Sequence, residues 1–343
     1  MNVHLAIPDL LWPTPEDRLV QEGLALPALE LLLGKGRVTP RPNLHLENWL
    51  LQHYDIDSGS APYALHAEGG EPIQAVWMRA DPCHMRVNRD GLILADASTF
   101  ELDREEAEAL IEALNRHFAA DGMIFYPMQP ERWYLRLEAP PSIDTTPIDE
   151  ARGRDVDALL PRGEASMHWR RTLNEIQMLL HQHPINEARE ARGALPINSV
   201  WLWGAGTYEA PTRRPYHRVR SRDPLAAGLA QASGAVAMPL PDSAAQWLGR
   251  APNEGIELLV LDALAAPASY AEAHSWRTRL EALERDWFAP LLGGLRDGRI
   301  GMISVHAMGS GGSFDVETTR QDLRYFWRRA KSLASFATLA QAE

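Results

Sequence analysis

The chain of 343 residues contains one cysteine, Cys83, so no disulfide can form within it and a reducing compartment is the expected setting. Long apolar runs are also missing: the stretch over residues 256–268 is interrupted by Glu257 and Asp262, so no membrane span is expected. The opening residues lack a basic region ahead of an apolar core, which predicts no secretory leader and a cytoplasmic location. Positive charge is in short supply, 34 Lys and Arg against 46 Asp and Glu, and the net −12 argues against nucleic acid as a partner. Neither a Gly-x-Ser-x-Gly elbow, nor a Walker loop, nor a His-Glu-x-x-His helix occurs. Gly204-Ala205-Gly206 is not a dinucleotide fingerprint, because Glu209 stands where the third glycine belongs. No Cys/His cluster has the spacing of a structural zinc site.

What is present suffices for a large core: 45% of the residues are hydrophobic, enough for one large domain or two. Four near-continuous apolar runs, residues 3–7, 199–203, 258–261 and 300–305, read as buried strands. Amphipathic helices are expected over 167–181, 273–292 and about 318–337, the last carrying Leu323, Phe326, Trp327 and Ala330. Alternating strands and helices imply an α/β fold with a doubly wound, mostly parallel sheet. Residues 72–138 differ in character. Asp103 and Glu106 form a capping-box pattern ahead of a helix, flanked by strand candidates at 75–78, 91–95 and 133–137. This predicts an inserted α+β subdomain over 72–138, with 139–149 leading back to a main domain formed by 1–71 and 139–343.

In an open parallel sheet a ligand crevice lies beyond the strand carboxyl ends. The four expected strands end at Asp9, at Gly204 and Gly206, at Asp262 and at His306, so these residues are candidates for lining one cleft. The competing structural roles are capping by each aspartate and a tight strand exit at the glycines. His181 and His183 fall at a helix end and are expected to cap its dipole before Pro184. Arginines cluster at Arg213, Arg214, Arg218, Arg220 and Arg222, and again at Arg328, Arg329 and Lys331, which suits either an anion or solvent. Trp276, Trp287 and Trp327 recur at core spacing, although an exposed aromatic interface for a protein partner is an alternative.

The segment Met167-His168-Trp169-Arg170-Arg171, Asn174 to Leu180, His183-Pro184, Asn186, Arg189, Gly193 and Pro196 to Gly204 resembles the bacterial RpfE-type regulatory proteins. More distantly it is similar to the archaeal-type cofactor-independent phosphoglycerate mutases of the alkaline phosphatase superfamily. Arg79, Asp90-Gly91 and the helix from Asp103 resemble the mutases' inserted substrate-binding subdomain, and Tyr54-Asp55 the tail of their nucleophile helix. The resemblance implies an alkaline-phosphatase-like sheet with an insert, and in active members a serine nucleophile with two divalent metals. Asp9 matches the first metal-binding aspartate, but Leu10 replaces the glycine that usually follows it. The nucleophile position falls near Leu44, the Asp-Glu-x-x-His stretch near 268–272 has lost its aspartate and histidine, and only His306 remains of the later Asp-His pair.

Leucine cannot be phosphorylated, and Asp9 and His306 cannot hold two metals alone. The expectation is a degenerate, noncatalytic phosphoglycerate-mutase-like protein with a regulatory or ligand-sensing role. Asp9, Gly204, Gly206, Asp262 and His306 would bound a cleft for a small anion, with Arg79 facing it from the insert. No cofactor, nucleic acid or membrane partner is expected. The alternative is an active mutase or phosphatase with relocated ligands, for which Ser58 and Ser60 lie close enough to the nucleophile position, and only that alternative calls for Mn, Zn or Mg.

Overall fold

A computed structural model describes residues 1–14, 17–72, 74–88, 91–250 and 254–337. Its strands are β1 (Asn2–Pro8), β2 (Arg37–Arg41), β3 (Val76–Asn88), β4 (Gly91–Ala95), β5 (Ile124–Gln129), β6 (Arg132–Leu137), β7 (Ser199–Thr207), β8 (Arg218–Arg220), β9 (Val236–Met238), β10 (Ile256–Val260), β11 (Met302–Met308) and β12 (Ser313–Thr319). They fall in two compact units, one formed by Met1–Asp55 with Pro211–Glu343 and the other by Ile56–Ala210.

The discontinuous unit is built on a seven-stranded sheet in the order β2-β12-β11-β1-β10-β8-β9. From β11 to β9 all neighbours are parallel, while β12 and β2 are added antiparallel at one edge. Pro40 lies on the edge strand β2, where its missing N–H costs no ladder bond to a further neighbour. β1 is central and reads as a continuous apolar run because both faces are covered. Helices Ala273–Leu283 and Ala289–Arg296, joined through Glu284–Phe288, place Trp276, Leu280, Trp287 and Leu291 in the same core. Glu284 accepts the Ala28 and Leu29 amides at 2.7 and 3.0 Å, so a buried carboxylate caps the helix Pro27–Lys35, which has no side-chain cap of its own.

The inserted unit is larger than the 72–138 expected from sequence, and its sheet is antiparallel throughout. β7 belongs here and not to the parallel sheet, pairing with β3 from Val76↔Thr207 to Cys83↔Ser199. Its unbroken apolar run has a plain cause: Val200 and Leu202 enter one core cluster, Trp201 and Trp203 the other, so both faces are buried without a parallel neighbour. Residues 139–149 do not lead out of the unit. Trp169 Nε1 donates to the Pro141 carbonyl at 3.0 Å and Trp201 Nε1 to that of Thr146 at 2.8 Å.

The expected helix over 318–337 is also corrected. β12 runs to Thr319, a short 3-10 turn covers Asp322–Arg324, and helix returns only at Ala334–Ala337. The Asp322 carboxylate accepts the Thr319 amide and hydroxyl at 2.9 and 2.6 Å, which closes a turn where a helix would have to begin. His183 does not cap the helix Ser166–His181. It is the N-cap of the next helix, Pro184–Ala191, accepting the Ile185 amide on Nδ1.

The capping box is present: Asp103 accepts the Glu106 amide at 2.8 Å, while the Glu106 side chain reaches back to Asp103. Glu106 also pairs with Arg192 and with the fully buried Arg189, both at 2.5 Å. Removing its carboxylate therefore strands a buried guanidinium, which costs far more than losing a cap. We expect Glu106→Ala to lower stability by roughly 3–5 kcal/mol in urea unfolding, and Asp103→Ala by about 1 kcal/mol. Equal losses would mean that the Arg189 pair adds nothing to the cap.

Candidate functional site

The sheet brings together three of the six sequence candidates. β1 pairs β10 and β11 in parallel with Ala6 opposite both Val260 and His306, so Asp9 and Asp262 lie just past the carboxyl ends of adjacent strands. His306 lies on the next strand, level with Ala6. Asp9 adopts a left-handed backbone (φ 52°), pinned by its amide to the Met308 carbonyl at 2.7 Å and by Trp276 Nε1 to its own carbonyl at 2.9 Å. Aspartate tolerates this conformation better than most residues. The Asp262 carbonyl accepts the Ala265 amide, opening the turn after β10.

Gly204, Gly206 and Arg79 belong to the inserted unit, so only three of the four expected strand ends lie on the parallel sheet. The glycines serve close packing. A Cβ on Gly206 would lie 2.3 Å from Ser58 Oγ, and one on Gly59 would lie 2.1 Å from the Ala205 carbonyl oxygen. Ser58 Oγ donates to the Thr207 carbonyl and accepts the Thr207 amide, both at 2.9 Å, so this hydroxyl is spent on the backbone of β7. Arg79 is buried and bonded to Asp81 at 2.6 Å, with the Tyr134 and Trp203 rings 4.9 and 5.1 Å from its guanidinium. Trp203 Nε1 donates to the other Asp81 oxygen. Arg79 is a closed structural cation in place of the expected arm toward a ligand.

His306 leads to a network that motif reading missed. Its Nδ1 bonds Asp315 at 2.7 Å, directly opposite on β12, and its Nε2 bonds His4 Nδ1 at 2.9 Å. Asp315 accepts from Arg41 at 2.6 Å. If His306 donates to the carboxylate through Nδ1, its Nε2 accepts from His4, which fixes both tautomers. The relay His4–His306–Asp315–Arg41 thus crosses β1, β11, β12 and β2 in spatial order. Alternation in Ser313-Phe314-Asp315-Val316-Glu317 is a strand signal that could have revealed β12. His4 reaches His306 diagonally, its register partner on β11 being Ser304, and that closeness depends on the register, which no local pattern carries.

Beside the relay is a cavity of about 310 Å³ lined by Arg41, Trp49, Gln52, His53, Arg213, Ser313 and Asp315. His53 donates Nδ1–H to the Trp49 carbonyl at 3.0 Å and packs on the Trp49 ring, leaving Nε2 with its lone pair. Arg41 offsets Asp315, whereas Arg213 is exposed and makes no ion pair among the described residues. The cavity is therefore biased toward anions. Leu44, at the position the resemblance gives to a nucleophile, also lines it, and its amide donates to Ser313 Oγ.

The donor set does not fit a two-metal centre. Both nitrogens of His306 are committed, and among the described residues no three His, Cys, Asp or Glu side chains converge to hold a cation. Ser60 Oγ is buried with no hydrogen-bond partner among the described residues, and it belongs with Ser58 to the inserted unit.

Burial, then the proximity of His306 and His53, pushes the His4 imidazole from 6.5 down to about 4. Burial, followed by His306 and Arg213, lowers His53 to about 4 against the opposing bond to Trp49. Burial opposes ionisation of Asp315, yet the bonds from His306 and Arg41 hold its pKa below the usual value. For the histidines the folded value is depressed, so the unfolded chain takes up protons first as pH falls. Their stabilising contribution is complete above the unfolded value of 6.5 and is lost progressively down to about 4. Asp315 loses its contribution lower, as pH falls through its depressed value. We expect the urea midpoint to fall across that histidine window, and to fall less in a His4→Gln/His53→Gln variant. Parallel profiles for the two proteins would refute the assignment.

The architecture is an α/β fold with a mixed, mostly parallel sheet and an antiparallel insert. The PH0037 protein from Pyrococcus horikoshii shares it at a TM-score of 0.56 and 14% identity, over 93% of this chain and 87% of that one.

Residues 72–186, all within the inserted unit, match the family model of 2,3-bisphosphoglycerate-independent phosphoglycerate mutase. A protein of that name from Methanosarcina mazei is 26% identical over 208 residues, 55% of this chain and 50% of the relative. The probable 2,3-bisphosphoglycerate-independent phosphoglycerate mutase of Geobacter sulfurreducens is 27% identical over 193 residues, 54% of this chain and 48% of the relative. The chain spans about half the length of these curated relatives. Over the matched residues it is phosphoglycerate-mutase-like. No helix among the described residues is long and apolar enough to cross a membrane.

Proposed function

We propose that this chain is a noncatalytic phosphoglycerate-mutase-like protein of the cytoplasm, with an RpfE-type regulatory or sensing role. Its ligand is a small anion, carrying a phosphate or a carboxylate, held in the cavity beside Arg41, His53 and Arg213. The observation that carries this reading is the His306 relay: the histidine that matches a metal ligand of the mutases has both nitrogens occupied by protein partners. Leu44 adds support, since an apolar side chain stands where a phosphorylated hydroxyl would be needed. Recognition follows from charge and geometry. Arg213 offers a guanidinium fork outside any ion pair among the described residues, Gln52 an amide and Ser313 a hydroxyl, and the Trp49 ring supplies an apolar wall.

The test pairs an activity assay with calorimetry on the full chain. With manganese, zinc or magnesium supplied in turn, we expect no interconversion of phosphoglycerates. Titration with 3-phosphoglycerate or inorganic phosphate should release heat, with affinity roughly tenfold weaker in Arg213→Gln. Metal-dependent turnover abolished by Asp9→Ala would overturn the noncatalytic reading. Binding indifferent to Arg213→Gln would remove the cavity as the ligand site.

A further inference from the structure

Residues 320–331 contain five cations, Arg320, Arg324, Arg328, Arg329 and Lys331, against one acid, Asp322, in a chain whose net charge is −12. Arg328 is taken by Asp322 at 3.0 Å. Arg320, Arg324, Arg329 and Lys331 are exposed and outside any ion pair among the described residues. Between them stand Phe326 and Trp327, 85% and 64% exposed. Such exposure means that the rings project and do not line a groove.

This segment is held firmly. Lys35 Nζ donates to the Tyr325 carbonyl at 2.6 Å, Arg328 donates to the Lys35 carbonyl at 2.7 Å, and the Lys331 amide donates to the Glu30 carbonyl at 3.1 Å. The backbone passes so close to the helix Pro27–Lys35 that a Cβ on Gly34 would lie 2.2 Å from the Arg329 carbonyl oxygen. Buried Leu333 and Phe336 fasten the far side to the core. Phe326 packs edge-on against Trp327, and Tyr325 lies 4.8 Å from the same indole, so three rings form one raised cluster on a strapped loop.

We propose that this loop docks the protein on an anionic lipid surface. An interfacial aromatic ring needs no pocket shaped to receive it, because headgroups and acyl chains close around whatever projects. A protein partner would have to supply a complementary cavity for each ring. Flanking cations gain from the negative surface potential and fix the orientation of approach, which the acidic remainder of the chain would otherwise oppose. The expectation of no membrane partner rested on the absence of a span, and a peripheral loop is a different mode of attachment.

The experiment is co-sedimentation of the full chain with vesicles of phosphatidylcholine alone, or mixed equally with phosphatidylglycerol, at low and at physiological salt. We expect binding to the mixed vesicles roughly tenfold above that to neutral ones, weakening with salt. Phe326→Ala/Trp327→Ala should abolish it, and Arg324→Gln/Arg329→Gln/Lys331→Gln should remove the preference for anionic lipid. These side chains are exposed, so circular dichroism and the thermal midpoint should be unchanged in both variants. Failure to bind mixed vesicles, or undiminished binding by the aromatic variant, would overturn the proposal. So would a wild-type oligomer that ignores lipid and dissociates on the aromatic substitution, since the patch would then join copies of this chain.

Discussion

The hydrogen bond between His306 and Asp315 decides more about the discontinuous unit than any other single contact. The two residues face each other on antiparallel neighbours, and their partners His4 and Arg41 carry the connection to the strand on either side. A carboxylate at this depth needs a donor and a counter-charge, and it has one of each. The same satisfaction withdraws His306 from coordination chemistry, because an imidazole has two nitrogens and both are engaged. It also determines the electrostatics of the adjoining cavity. With Asp315 balanced by Arg41, Arg213, which has no ion pair among the described residues, sets the sign.

Buried charge is handled in the same way in the inserted unit, and there too the outcome bears on function. Arg79 would be a natural anion-binding arm were it free, yet Asp81 satisfies its charge and two aromatic rings cover its flanks. Displacing that carboxylate in favour of a ligand would leave Asp81 buried with only the Trp203 indole bonded to it. A buried arginine is therefore poor evidence of a binding site until its partner is known. Arg189 makes the same point, since its charge is spent on Glu106 and on the Glu101 and Leu195 carbonyls.

Features encoded over a few residues were legible in the sequence. The capping box at Asp103 and Glu106, the helix ending at His181 and the buried strands could all be read from composition and period. What could not be read was partnership. An apolar run buried on both faces looks alike in a parallel and an antiparallel sheet, so the pattern of β7 does not tell its neighbours, and Gly204 and Gly206 fall on an antiparallel strand and not past the end of a parallel one. His4 stands inside an apolar run, and a histidine in a strand gains meaning only from its neighbours on the adjacent strand, here His306 diagonally across. Residues 318–337 failed differently. Their apolar spacing suited a helix, but Thr319 and Asp322 formed a turn first, and Phe326 and Trp327 were left outside the core. Asp90, part of the family resemblance, lies outside the described residues.

The family-model match and the chemistry of the candidate site occupy different parts of the chain. The family-model match covers 72–186, inside the antiparallel insert, whereas Asp9, Asp262, His306 and the cavity belong to the discontinuous unit. A scaffold can keep its strand order while its edge residues change, because the order depends on apolar pattern and register, and the chemistry on a few side chains at strand ends. Asp9 illustrates the difference. Its backbone is fixed by the Met308 carbonyl and the Trp276 indole, both bonded to Asp9 main-chain atoms, in a left-handed conformation that aspartate tolerates better than most residues. The position is thus maintained by the fold whether or not its carboxylate has a task, and the aspartate alone says little about surviving catalysis. The relay behind His306 says more, because it commits side-chain atoms that a metal would require.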